Sequence, residues 1–264
     1  TGVQTCALLI SAVGEVLLGK KLGNKAQLLG AIGGTIPDLD VLLGPLFSDE
    51  ITKLQIHRGY SHALAIHLIL AWPLARLCQG RWNAEITPRR WYLFWFLALF
   101  THALLDCCTT YGTQLFLPFS NYLVGLNNIT VVDPLWTLPF MILLAVCLFL
   151  KRENRNRIRW AYVACSYACL YMLLTFANKY RVHQHFEREL AASGIPYQTL
   201  KTSPTMFNNM LWSGIAIGAD TIYFGEYSLL QKDSKVDWIG YPIRHDLIDQ
   251  HPDQRAMQAL QWFG

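Results

Sequence analysis

Trp91-Tyr92-Leu93-Phe94-Trp95-Phe96-Leu97-Ala98-Leu99-Phe100-Thr101-His102-Ala103-Leu104-Leu105-Asp106 is an apolar run that ends in a histidine and an aspartate. The run continues to residue 108, and its length is enough to enter a bilayer. Polar, ionisable side chains in such surroundings cost free energy unless they are partnered or put to use. His102 and Asp106 are spaced i, i+4, so on a helix both lie on one face, one turn apart. That spacing supplies two ligands to a metal that takes neutral imidazole and carboxylate. An aspartate that orients a histidine, or a buried pair, fits the same spacing.

Two further stretches combine polar chemistry with apolar neighbours. Ile36-Pro37-Asp38-Leu39-Asp40 follows the apolar residues 26–36, and Ile56-His57-Arg58-Gly59-Tyr60-Ser61-His62 leads into the apolar residues 60–78. Gly59 lets the chain turn and Ser61 can cap the helix that follows, so that His57 and His62 point into one site. Arg58 can hold an anionic substrate group such as phosphate, or pair with a lipid headgroup or a carboxylate. Asp38 and Asp40 repel each other unless a cation or an arginine stands between them; a solvated turn with capping roles is the alternative. His67 reads as a satisfied core histidine, and Asp133 before Pro134 as a helix N-cap. Glu15 lies inside an apolar helix, where a nearby lysine is the simplest partner. His183, His185, His245 and His251 sit among charged residues and read as surface histidines.

The composition agrees with a membrane protein. Of 264 residues, 53% are hydrophobic and 15% charged, against roughly 25% charged in soluble domains. Mean hydropathy is +0.24. The net charge of +4 comes from Lys and Arg clustered between apolar runs, which reads as a topology signal rather than a nucleic-acid surface. No aromatic-basic pattern, Gly-rich phosphate loop or nucleophile elbow is present. Seven cysteines without a CxxC pair give no support to a four-thiolate zinc site and no disulfide framework. The opening residues 1–8 resemble translated sequencing-adapter read-through and carry little weight.

Along the chain, residues 6–19 and 26–36 form two short apolar helices around a basic turn, and residues 60–78, 91–108, 134–150 and 160–178 form longer apolar spans. From Lys179 the composition becomes mixed, with a charged helix near 180–193 and strand-like pieces such as Thr221-Ile222-Tyr223-Phe224. The expected fold class is mainly α: a polytopic membrane helical bundle over residues 1–178, with a small extramembrane α+β domain over 179–264. The basic segments 20–25, 76–90 and 151–159 fall at alternate connections, which places them together in the cytoplasm and the three polar motifs together outside. Asp38, His62 and His102 lie 13, 14 and 12 residues from Lys25, Arg76 and Arg90. At 1.5 Å per helical residue, all three stand roughly 18–21 Å from the cytoplasmic edge, in the outer half of the bilayer.

Taken together, Pro37-Asp38-Leu39-Asp40, His57-Arg58-Gly59-Tyr60-Ser61-His62, and His102-Ala103-Leu104-Leu105-Asp106 before Thr113 resemble the YdjM family of bacterial inner-membrane proteins. Gly14-Glu15 and Gly19-Lys20-Lys21-Leu22-Gly23-Asn24-Lys25-Ala26 add to the resemblance, which covers about residues 12–135. That family is described as membrane-bound metal-dependent hydrolases. The resemblance implies metal-linked roles for Asp38, Asp40, His57, His62, His102 and Asp106. We expect His57, His62, His102 and Asp106 as the catalytic set and, from its guanidinium chemistry, Arg58 as the substrate-binding residue. Histidines and carboxylates in this number suit zinc or manganese. The expected protein is thus a divalent-metal hydrolase of the inner membrane, its site and C-terminal domain periplasmic, its partners membrane lipids and a lipid-like substrate, with no nucleic acid. A non-enzymatic ion-binding or transport protein using the same cluster is the alternative.

Overall fold

The structure, a computed structural model, describes residues 2–47, 49, 52–53, 57–82, 86–231 and 235–246. The histidine at 251 lies outside the described residues. Two compact units are present: residues 1–126 with 134–171, and residues 127–133 with 172–264.

The first unit begins with a helical hairpin, α1 (Gly2–Leu22) and α2 (Asn24–Thr35). Gly23 turns the chain between them at φ 57°, in the left-handed region that glycine enters without a Cβ penalty. The two backbones come close enough that a Cβ on Gly30 would stand 2.3 Å from the Ile10 carbonyl oxygen. Small residues at such a seam let helix backbones approach closely. The seam is also bonded: the Ser11 hydroxyl donates to the Gln27 carbonyl at 3.0 Å.

Pro37 opens a 3₁₀ segment, Pro37–Leu46, in which proline takes the first position that needs no N–H donor. A short 3₁₀ turn, Tyr60–His62, leads into α3 (Leu64–Trp82), and α4 (Pro88–Cys107) follows. Leu18, Leu29, Ala71, Ala75, Ile86, Trp91, Phe94 and Trp95 form the shared core of α1 to α4. The unit continues with α5 (Pro134–Phe149) and the first half of α6 (Arg155–Ala192).

Large apolar side chains also face outward from these helices: Leu28, Ile69, Trp72, Leu77, Ile142 and Leu170 are each more than half exposed. Among the described residues, α6 is long and apolar enough to cross a membrane by length and composition; α2 with the 3₁₀ segment would make a second, broken span. α3 over Leu64–Gly80 and α5 are shorter apolar helices.

One boundary differs from the sequence expectation. The last apolar span and the charged helix after it are one helix of 38 residues. No proline or glycine interrupts residues 155–192, so a change from apolar to charged composition does not end the backbone hydrogen bonding.

The second unit carries an antiparallel sheet in the order β1 (Thr199–Pro204), β2 (Leu211–Ile217), β3 (Thr221–Ser228), β4 (Ile239–Pro242). β2 alternates buried and half-buried residues, as a strand with one covered face does. Phe186 of α6, Val182, Trp212 and Val236 fill the core on that face.

Candidate metal centre

Three chain segments deliver the polar groups. At the end of α2 the 3₁₀ segment carries Asp38 and Asp40; the turn after Gly59 carries His62; the last turns of α4 carry His102 and Asp106. His62, His102 and Asp106 are buried, and Asp38 is half-buried.

Four ligand atoms face one another, all within 4.8 Å. His62 Nε2 lies 3.2 Å from Asp106 Oδ2 and 3.6 Å from Asp38 Oδ1. His102 Nε2 lies 3.5 Å from Asp38 Oδ1 and 3.6 Å from Asp106 Oδ2. His62 Nε2, His102 Nε2 and Asp106 Oδ2 are buried and make no hydrogen bond of regular geometry, their neighbours including one another and, for Asp106 Oδ2, Arg58 Nε at 3.3 Å. Buried polar atoms in folded proteins are nearly always hydrogen-bonded, so three that are not, at one point, call for an explanation.

The donor set fits a cation. His102 Nδ1 is 2.8 Å from the Gly34 carbonyl oxygen, an acceptor only, so Nδ1 holds the proton and Nε2 can turn a lone pair toward the cluster. Two imidazole nitrogens and two carboxylate oxygens are the donors that zinc and manganese share. Four donors at about 2.0–2.1 Å from one tetrahedral centre stand about 3.3 Å apart. The four His–Asp separations, 3.2–3.6 Å, lie close to that spacing, and the His–His and Asp–Asp pairs fall within 4.8 Å.

A family model described as YdjM inner membrane protein matches residues 2–182. The chain belongs to the YdjM inner membrane protein family. It is also 23% identical over 186 residues to the uncharacterized protein YfhP of Bacillus subtilis (strain 168), a match covering 66% of this chain. The chain spans about half the length of that relative. No solved structure matches it.

In this YdjM-family chain the remaining expected site residues stand beside the four donors. Asp40 is buried, and its carboxylate is already taken: Oδ1 is 3.0 Å from His57 Nδ1, while Oδ2 accepts from the Arg58 backbone N–H at 3.1 Å and from the Ser61 hydroxyl at 2.6 Å. His57 is half exposed, its ring centre 6.3 Å from that of His62. Arg58 holds an unusual backbone, φ 61°, which the Asp40 bond to its N–H secures. Its Nε lies 3.3 Å from Asp106 Oδ2, its NH1 donates to the Thr109 hydroxyl at 3.1 Å, and its guanidinium stands 5.2 Å from the Tyr111 ring centre. Among the sequence alternatives for Arg58, a protein carboxylate is the contact present.

Cys107 and Cys108 are buried and free, and neither belongs to the four-donor group. His67 is buried, its Nε2 2.8 Å from the Ser61 carbonyl oxygen and its Nδ1 without a hydrogen-bond partner.

Three participants escaped the sequence reading. Ser61 makes no capping bond; its hydroxyl lies between Asp40 and His62 Nδ1, 2.9 Å from the latter. The Gly34 carbonyl is a backbone atom on another helix, for which sequence gives no signal. Thr109 follows the His-Asp pair closely, but its bond to Arg58 spans 51 positions.

The Glu15 expectation needs a correction. Its partner is Arg157, far away in sequence: Nε to Oε1 is 2.5 Å and NH2 to Oε2 is 2.7 Å. Gln27 also donates to Glu15 Oε2 at 3.0 Å, and Arg157 NH1 reaches Asn24 Oδ1 and the Leu150 carbonyl oxygen, each at 2.8 Å. No lysine offers a rigid fork that meets both carboxylate oxygens.

Proposed function

We propose that this chain is a metal-dependent hydrolase of the bacterial inner membrane, with its site toward the periplasmic face. The observation that carries this reading is the group of three buried atoms without a regular hydrogen bond, His62 Nε2, His102 Nε2 and Asp106 Oδ2, which with a carboxylate oxygen of Asp38 lie within 4.8 Å of one another. Asp38, His62, His102 and Asp106 hold a divalent ion, zinc or manganese. When bound, such an ion supplies Lewis acidity toward a scissile carbonyl or phosphoryl group.

The surrounding residues have separate tasks. Asp40 and His57, expected from sequence among the ligands, orient rather than ligate in this reading, because Asp40 is committed to His57, Arg58 and Ser61. His57, half exposed at the rim, carries protons between the site and water. Arg58 holds an anionic group of the substrate and balances the Asp106 charge. Tyr60, Tyr111, Phe119 and Tyr122 are exposed on the segments that flank Arg58, which suits an amphipathic, lipid-like substrate entering from the membrane.

The outward apolar side chains of α2, α3, α5 and α6 support a polytopic arrangement of the membrane unit, residues 1–178, with the domain over 179–264 outside the bilayer. The basic turns also support the orientation: Lys25, Lys151, Arg152 and Arg157 line one cavity of about 450 Å³, so two of the three basic connections meet at one end of the first unit. The His-Asp pair lies at the far end of α4 from Arg89 and Arg90.

The test is metal content of the purified protein, followed by turnover of lipid-like phosphoesters, esters and amides by the parent, His102→Ala and Asp106→Ala. Loss of both metal and turnover with the fold intact is the expected result. Metal binding without turnover of any such substrate would instead favour an ion-binding or transport protein.

A further inference from the structure

We infer that Ser61 and Asp40 form a positioning relay that sets the tautomer of His62 and so prepares its Nε2 for a metal. The inference rests on the metal reading above. A serine hydroxyl has one proton to give and lone pairs with which to accept. Ser61 Oγ lies 2.6 Å from Asp40 Oδ2 and 2.9 Å from His62 Nδ1. An ionised carboxylate accepts only, so the serine proton goes to Asp40. Ser61 Oγ is then left to accept, and His62 Nδ1 must donate to it. In the neutral imidazole Nε2 of His62 then carries the lone pair, and it is this atom that lies 3.2 Å from Asp106 Oδ2 and 3.6 Å from Asp38 Oδ1.

The relay is braced at each member. Asp40 cannot swing away, because the Arg58 N–H and His57 Nδ1 hold its two oxygens. Ser61 is held through its carbonyl oxygen, which lies 2.8 Å from His67 Nε2 and accepts from it. His67 thereby gains a task that its place on an apolar helix did not suggest. The arrangement parallels that of His102, whose Nδ1 is fixed by the Gly34 carbonyl. One histidine is oriented by backbone and the other by a side-chain relay, and both present Nε2. Metal-bound histidines commonly carry such a partner on the far nitrogen, and removing it weakens metal binding by on the order of 10–100-fold.

The experiment measures zinc affinity of the full chain by competition with a chromophoric chelator, in the parent, Ser61→Ala, Ser61→Thr, Asp40→Asn and the Ser61→Ala/Asp40→Asn double variant. Circular dichroism and thermal melting report the fold. Ser61→Ala should weaken zinc binding by about 10–100-fold, and Ser61→Thr, which keeps the hydroxyl, should restore it to within a few-fold. Asp40→Asn should weaken binding as well, because an amide can donate to Ser61 Oγ and turn the serine proton toward His62 Nδ1. The double variant should be no worse than the weaker single one, since both break one chain. In the zinc-free parent, ¹⁵N spectra of labelled histidine should show His62 protonated at Nδ1, and Asp40→Asn should shift that proton toward Nε2. A folded Ser61→Ala protein that binds zinc as tightly as the parent would overturn the relay and leave the metal reading standing. Should Ser61→Ala fail to fold, an unchanged His62 spectrum and affinity in Asp40→Asn would overturn it equally. A parent that binds no zinc or manganese would remove the metal reading itself.

Discussion

Glu15 of α1 and Arg157 of α6 form a two-pronged ion pair across 142 positions of sequence, with both side chains almost fully buried. Gln27 and Asn24 complete the network, so the first hairpin is tied to the start of α6 through charge-assisted hydrogen bonds. Breaking a buried pair at one end strands the other charge. Arg157→Ala should therefore destabilise the first unit by about 3–5 kcal/mol, and Glu15→Gln combined with Arg157→Met should recover much of that loss. Thermal and denaturant unfolding of the purified protein measures both; equal stability of Arg157→Ala and the parent would contradict the assignment.

Metal should stabilise the fold through the four donors. Anything that binds only the folded state raises stability, by about 2.7 kcal/mol at a hundred times its dissociation constant. Zinc or manganese should raise the melting temperature of the parent, a chelator should reverse the gain, and His102→Ala should show neither response. Melting curves with and without added ion decide this, and an identical rise in His102→Ala would move the binding elsewhere.

The helix seam between α1 and α2 should tolerate no side chain at Gly30. A Cβ there meets the Ile10 carbonyl oxygen at 2.3 Å and the Ser11 Cα at 2.6 Å, both backbone atoms that cannot rotate away. Gly30→Val should lower stability by several kcal/mol and also weaken metal binding, because α2 supplies the Gly34 carbonyl to His102. Gly80, where an added Cβ would meet nothing within 4 Å, is the control: Gly80→Ala should be neutral or stabilising by about 0.5–1 kcal/mol.

In the second unit, Phe186 is fully buried against Trp212 and Val236, and Gly214 of β2 leaves the space its ring occupies. Phe186→Ala should cost about 3–5 kcal/mol. Near-ultraviolet circular dichroism of Trp212, together with melting, reports the loss of this core.

Orientation is open to a direct check. Reporter fusions at residues 155 and 200 should give a cytoplasmic and a periplasmic signal, as the Lys/Arg placement requires. A cytoplasmic signal from the fusion at 200 would invert the proposed topology and put the site on the other face.

Sequence by itself singled out the four residues, Asp38, His62, His102 and Asp106, that the fold brings together. The i, i+4 spacing of His102 and Asp106, the proline before Asp38 and the glycine before His62 are local signals, and local geometry follows from them. The apolar runs and basic turns likewise sufficed to lay out α3, α4, α5 and the start of α6, because helix periodicity and length depend on neighbours in the chain. Tertiary structure alone decided which polar groups share a bond. Ser61 reads as a helix cap until Asp40, 21 positions away, is found with a carboxylate oxygen 2.6 Å from its hydroxyl. Glu15 finds Arg157 rather than a nearby lysine because the fold brings a planar, five-donor guanidinium to it. The division of labour between Asp38, which faces the other donors, and Asp40, which turns to His57, Arg58 and Ser61, is set by a 3₁₀ segment whose side-chain directions no spacing rule predicts. Pairings of this kind depend on the approach of distant segments, and buried polar atoms accept only the partners that approach provides.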